Sequence, residues 1–348
     1  MKDVIHLLKI EAILKKREIR TLLFLIALFI VVGFINTDFF SFNNMQNSIK
    51  NSLIYIVLAI GLTFVLLTGN IDISIGGTLG LSAAVSGLIL KNGGSIIVAI
   101  FAALAIGAVI GLINGLGVTK LNISSFIMTL GMLEITRVIQ VIYTDGKWIE
   151  NLPVNFKQLS QLNIMGVNVL MILVFVIVIL AHLFIIKTKK GQYFVAIGDN
   201  VDGAILLGVP VKKYKLYSFV ISGVCAAFAG LIFASQVGFI STNAGAGIEM
   251  TVIAAAVIGG VSLSGGVGSV VGATIGAVIM ISINSALVYM KIPAFWNSSI
   301  SGALLILIVV VDAQINRRAE KRAEKERMSA RVLPREVSDL DNERGTII

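Results

Sequence analysis

The sequence predicts an all-α polytopic membrane protein: about ten transmembrane helices, two glycine-broken segments, and both termini cytoplasmic. Three observations predict this class. First, 57% of the 348 residues are hydrophobic and only 14% are charged, against about a quarter charged in soluble domains. Mean hydropathy is +0.95. Second, apolar runs long enough to cross a bilayer recur along the chain without the alternation that a barrel strand requires. Third, Lys and Arg are distributed unevenly between the two sides that those runs define.

The apolar segments lie near 21–36, 51–69, 73–91, 95–118, 124–143, 167–186, 216–237, 249–262, 267–290 and 297–312. With the N-terminus inside, 22 of the 28 Lys and Arg fall on the inner side, five on the outer, and Arg137 within a span. This bias orients the chain and assigns much of the net charge of +9 to topology and lipid headgroups, not nucleic acid. Residues 1–20 read as a cytoplasmic basic segment, 21–312 as the membrane domain and 313–348 as a charged cytoplasmic tail. No cleavable leader pattern is visible at the N-terminus. The 34 glycines suit close helix packing in lipid. The single cysteine, Cys225, sits in an apolar run and reads as a small buried hydrophobe.

The second and third segments meet in LLTGNIDISIGGTLGL, which carries Asp72 among Gly69, Gly76 and Gly77. A carboxylate at the centre of a bilayer helix costs roughly 2.5–3.5 kcal/mol, and the glycines weaken the helix around it. Asp72 could accept hydrogen bonds from amides freed by the break, bind solute hydroxyls along a path, or carry protons. The break has an echo in GGVSLSGG at 259–266, where Ser262 stands opposite Asp72. Glycine-interrupted segments at corresponding places in two halves point to a transport pathway between them. The eighth segment is too short to cross about 30 Å of hydrocarbon. The polar GFISTNAGAGI before it is therefore expected to line a cavity. Glu249, which starts that segment, complements the positive end of a helix.

Glu134 and Arg137 lie three apart on one helix face and read as a mutually neutralising pair. His182 reads as a packed interfacial histidine. On the inner side, KTKKGQYFVAIGDNVDGAILLGVPVKKYK (187–215) has basic ends. Asp199, Asn200 or Asp202 can cap a short helix in GAILLG, ended by Gly208 and Pro210. Exposed Ile205, Leu206 and Leu207 suit insertion into a groove on a partner, or a helix lying on headgroups. No GxxxxGK[ST] occurs, no metal-ligand spacing, and no nucleophile–base arrangement, so neither catalysis nor a bound cofactor or metal is expected of this chain.

TGNIDISIGG, NGLGVTKLNISSFIMTLGML, IYTDGK, GQYFVAIGDNVDGAILLGVPVKKYK, TNAGAGIEMTVIAAAVIGGVSLSGGVGSVVGATIGA and the final VVVD closely resemble the permeases of bacterial ABC importers for sugars, the ribose-permease type. The similarity runs from about Thr37 to Asp312. The resemblance implies a permease dimer, of two copies or with a paralogue, in the bacterial inner membrane. It also implies cytoplasmic ATP-binding cassette subunits that hold the ATP, and an extracytoplasmic sugar-binding protein. It places ATPase coupling on Asp199, Asn200, Ala204, Leu206, Leu207 and Gly208. The translocation pathway is expected along Asp72, Asn70, Ser74, Gly76, Gly77, Glu249, Ser262 and Ser264. Relatives carry ribose, xylose, galactosides and furanosyl signalling compounds, with ribose or a similar monosaccharide expected here. The run Asp199-Asn200-Val201-Asp202-Gly203 is more acidic than the family's usual pattern, and the tail is longer. The alternative is a secondary transporter or facilitator using Asp72 for proton coupling.

Overall fold

The apolar runs fold into helices whose ends are set by polar caps and glycines. The computed structural model describes residues 17–293 and isolated positions from 296 to 310. These comprise α1 (Arg17–Ile35), a 3-10 turn (Thr37–Phe40), α2 (Phe42–Leu67), α3 (Ile75–Lys91), α4 (Ile96–Thr119) and α5 (Ser125–Tyr143). There follow α6 (Val154–Gln158), a hairpin of β1 (Asn163–Ile164) and β2 (Val167–Asn168), α7 (Val169–Lys187), α8 (Lys189–Asp199), α9 (Val201–Leu206), α10 (Val211–Val237), α11 (Ile248–Ile258) and α12 (Val270–Tyr289). Side chains of Ser41, Ser95, Thr188 and Ser269 accept from amides of the first turns of α2, α4, α8 and α12, satisfying donors that a helix start leaves orphaned.

Each of the first nine predicted segments coincides with a helix. Six of these helices (α2, α4, α5, α7, α10 and α12) are long and apolar enough to cross a membrane, while α3 and α11 are shorter. The predicted tenth span, the tail 313–348 and residues 1–16 of the basic segment lie outside the described residues, save for the isolated positions within that span. The chain divides into two units, Met1–Leu305 and Ile306–Ile348, and every element named here belongs to the first. The loop between α7 and α10 contains two helices where the sequence predicted one, and α6 and the β1–β2 hairpin were not expected at all.

At the centre, α10 packs against α4, α2 and α3. Small residues allow this: a Cβ on Gly107 of α4 would collide with the Gly223 carbonyl of α10, and one on Gly111 with the Phe219 carbonyl. Backbones in that contact approach as closely as glycine permits. Cys225 packs on Gly61 in the same way, its Cβ 2.7 Å from where a side chain on Gly61 would begin. At the rim, α7 is only 17% buried over its apolar window, as a lipid-facing helix would be.

Candidate functional site

The two glycine breaks share a physical problem. Each leaves backbone N–H and C=O groups outside a helix at a depth where lipid offers no partner, so protein must supply every bond. In the first break, Gly69 turns the chain past the end of α2 with φ +70°, and residues 70–73 lie outside any helix before α3. Ile71 N donates to Ser125 Oγ at 3.2 Å and Ile73 N to Thr129 Oγ1 at 3.1 Å, both from the first turns of α5. Asn70 Nδ2 donates to the Thr68 carbonyl and hydroxyl, at 3.0 and 2.9 Å.

Asp72 lies at the centre of this segment and is 1% exposed. Its Oδ1 accepts from Ser74 N at 3.0 Å and Ser74 Oγ at 2.6 Å, and its Oδ2 accepts from Ser222 Oγ on α10 at 2.7 Å. Asn114 of α4 donates to Ser74 Oγ at 2.8 Å. One carboxylate thus ties the break to two neighbouring helices. Hydrogen bonds to a charged group contribute about 1.5–3 kcal/mol each, a sum that can offset its desolvation.

The second break closes mostly on itself. Ser262 N donates to the Val267 carbonyl at 2.8 Å, Gly265 N to the Ser262 carbonyl at 3.3 Å, and Ser264 N to Ser262 Oγ at 3.3 Å. Gly260, Gly265 and Gly266 have φ of +84°, +92° and +71°, a region open to glycine and costly for other residues. The two breaks also touch each other, since Gly266 N donates to the Leu67 carbonyl at 3.1 Å.

The C-terminal end of α8 sits on this junction. Side chains added to Gly265 would lie 2.8 Å from Gly69 Cα and 3.0 Å from Gly198 Cα, and one on Gly266 2.7 Å from Asp199 Cα. A Cβ on Gly198 would strike the Leu67 carbonyl and Gly266 N. Beyond it, Asn200 caps α9 by accepting from Gly203 N at 2.9 Å, while Ala204 is buried. Leu206 and Leu207 are 88% and 82% exposed. Gly208, with φ +76°, ends the turn.

The glycine-rich chain between α10 and α11 is the third irregular stretch, and α5 holds it as well. Gln140 Nε2 donates to the Ser241 and Thr242 carbonyls at 3.1 and 3.2 Å. Arg137 bonds Glu134 Oε1 at 3.0 Å, as expected, and also reaches Glu249 Oε1 at 2.8 Å. Glu249 is 4% exposed and packs on Gly76, where a Cβ would overlap its Oε2. The region expected to line a cavity is packed on α3 and α5 only in part: Ile240, Ala244 and Gly245 are buried, while Phe239, Asn243, Ala246 and Gly247 are exposed.

Of the eight residues expected along a pathway, Asp72, Asn70, Ser74, Gly76, Gly77, Glu249 and Ser262 are buried, and Ser264 alone is exposed. His182 is half-buried on α7. The reading from sequence missed Ser125, Thr129 and Gln140. Their signal was a polar stripe on an apolar helix, at 125, 129, 136 and 140, spaced to share one face. Among the described residues no group of His, Cys, Asp and Glu could hold a metal ion.

Residues 44–309 match a permease family described as the branched-chain amino acid transport system / permease component. The chain belongs to this family. It is 41% identical to the autoinducer 2 import system permease protein LsrC of Enterobacter sp. (strain 638), over 88% of this chain and 89% of that one. It is 38% identical to LsrC of Escherichia coli (strain K12 / DH10B), over 93% and 95% of the two chains. The same identity holds for LsrC of Salmonella typhi, over 93% and 94%. No solved structure matches. The permease is thus a multi-pass protein of the bacterial inner membrane and a transport component of an ABC importer of the simple-sugar type. Such a permease implies an ATP-binding subunit and an extracytoplasmic binding protein.

Proposed function

We propose that this permease translocates a small polyhydroxylated solute, of the size and chemistry of ribose or autoinducer 2, received from the binding protein. The relatives named above are autoinducer 2 permeases, which favours a furanosyl-type signalling compound over ribose itself. ATP is bound and hydrolysed on the partner subunits. This chain faces them with both termini inside and pairs with a second permease, identical or paralogous, across the bilayer.

The observation that carries this reading is the position of the 187–215 loop. It presents Ile205, Leu206 and Leu207 outward on α9, while the adjoining end of α8 bears on both glycine breaks. An apolar tip of this exposure needs a groove to enter, and a P-loop ATPase supplies one. Force applied there reaches the breaks through backbone contacts with no compressible side chain between them. Closure of the ATPases then moves the two halves of the bundle about the breaks, which is alternating access. In this mechanism Asp72, Asn70, Ser74, Gly76, Gly77, Glu249, Ser262 and Ser264 shape the moving seams.

The test is uptake of radiolabelled autoinducer 2 and ribose into vesicles holding the permease, with and without the ATPase and binding protein. Uptake should require both partners and ATP. Leu206→Glu should abolish ATPase co-purification and reduce uptake at least ten-fold, without altering thermal unfolding of the permease. Uptake by the permease alone, driven by a pH gradient, would overturn the importer reading in favour of a proton-coupled transporter.

A further inference from the structure

We propose that the outward face of α5, centred on Glu134 and Arg137, is a solute-contacting wall of the conduit; this rests on the importer reading above. Glu134 is the middle residue of α5 (Ser125–Tyr143), about 14 Å from either end at 1.5 Å per residue. Its side chain is nevertheless 63% exposed. Ile127, Leu130, Val138 and Val141 share its face at helical spacing and are also exposed. A Cβ on Gly131 of the same face would meet open space.

Hydrocarbon is a poor neighbour for Glu134 on this face. Carboxylates inside membrane spans turn toward protein or a water-filled cavity, because exposure to lipid costs several kcal/mol. Arg137 offsets only part of that cost. Its guanidinium makes one contact to Glu134 and one to Glu249, so one positive charge serves two carboxylates. The buried end of the cluster is not saturated either: Arg137 Nε and Glu249 Oε2 have no hydrogen-bond partner. Glu249 is almost wholly buried, so its unused oxygen offers the guanidinium a second seat.

These features describe a surface suited to brief contact. A sugar hydroxyl can donate to the Glu134 carboxylate and accept from the half-buried Arg137 guanidinium, which carries more N–H groups than its two contacts use. When Glu134 turns to the solute, Arg137 keeps Glu249 as its counter-ion, so the exchange strands no charge. The flanking Ile127, Leu130, Val138 and Val141 offer the solute no hydrogen bond, which keeps its residence short.

The experiment uses the assembled transporter in vesicles, with Cys225→Ser as background and Glu134→Cys as the probe. Phe175→Cys, at an exposed position of α7, is the lipid-facing control. A membrane-impermeant cationic thiosulfonate should label position 134 at least ten-fold faster than position 175, and autoinducer 2 delivered by the binding protein should slow that labelling. Equal rates at the two positions would overturn the proposal. As a second measurement, Glu134→Gln should lower uptake at least ten-fold with unchanged thermal unfolding, and undiminished uptake would also overturn it. Labelling does not depend on the solute's identity. If position 134 labels as expected while uptake proves to be driven by a pH gradient without the partner proteins, the importer reading fails and the aqueous wall stands.

Discussion

The two interruptions of the bundle solve one problem with different materials. The break at 69–74 borrows partners from three other helices: Ser125 and Thr129 of α5, Ser222 of α10, and Asn114 of α4 acting through Ser74. The break at 259–268 bonds chiefly within itself, around Ser262, and tolerates its turns through glycines at positive φ. The contrast explains why a carboxylate stands in one and a serine in the other. In the first break the Ile71 and Ile73 amides are taken up by α5, and the two oxygens of Asp72 join Ser74 to Ser222 of α10. The turn around Ser262 already brings donor and acceptor together. Asp72 is in this chain a device for reaching across helices.

The sharpest way to break the comparison is to remove the anion. Asp72→Ala leaves Ser222 and the Ser74 hydroxyl and amide without their acceptor, and should cost at least about 3 kcal/mol, seen as a lower unfolding temperature and poor membrane accumulation. Asp72→Asn retains an acceptor and a donor for Ser222, and should cost about 1 kcal/mol. Gly198→Val comes next in effect. It forces a side chain into the junction of the breaks, with an overpacking cost of about 1–3 kcal/mol. Its signature should be functional: normal insertion, intact ATPase co-purification, and uptake lowered at least ten-fold. Ser222→Ala removes one of three donors to Asp72 and should lower stability by about 1–2 kcal/mol. Smallest of all, Ser262→Ala removes a 3.3 Å bond within the turn and should change stability by less than about 1 kcal/mol. A Ser262→Ala penalty matching that of Asp72→Ala would dissolve the distinction between the breaks.

Much of this architecture was legible in the sequence because apolar length is a local property. The runs at 51–69, 73–91 and 95–118 announce α2, α3 and α4, and glycine with Asp72 announces the interruption between the first two. Of three cap candidates visible in the sequence, Asp199, Asn200 and Asp202, it is Asn200 that caps α9, and Gly208 follows its end through ordinary cap chemistry. What stayed hidden depends on pairs far apart in the chain. Arg137 was matched with Glu134, three residues away, because only that neighbour was visible. Its shorter contact is to Glu249, 112 positions on. Ser125, Thr129 and Gln140 looked like ordinary polar residues of a helix until the backbone they serve came alongside. The eighth segment was drawn to 262, but α11 stops at Ile258, since Gly259 is held in an αR turn and Gly260 requires a positive φ. A hydropathy reading extends through glycines that a helix does not.

The resting place of α8 has a consequence for an idle transporter. Because Gly198 and Asp199 bear on both kinks together, neither can loosen while its companion is still clamped. Opening of an idle conduit would then require the two kinks to move together, since one stretch of backbone lies against both.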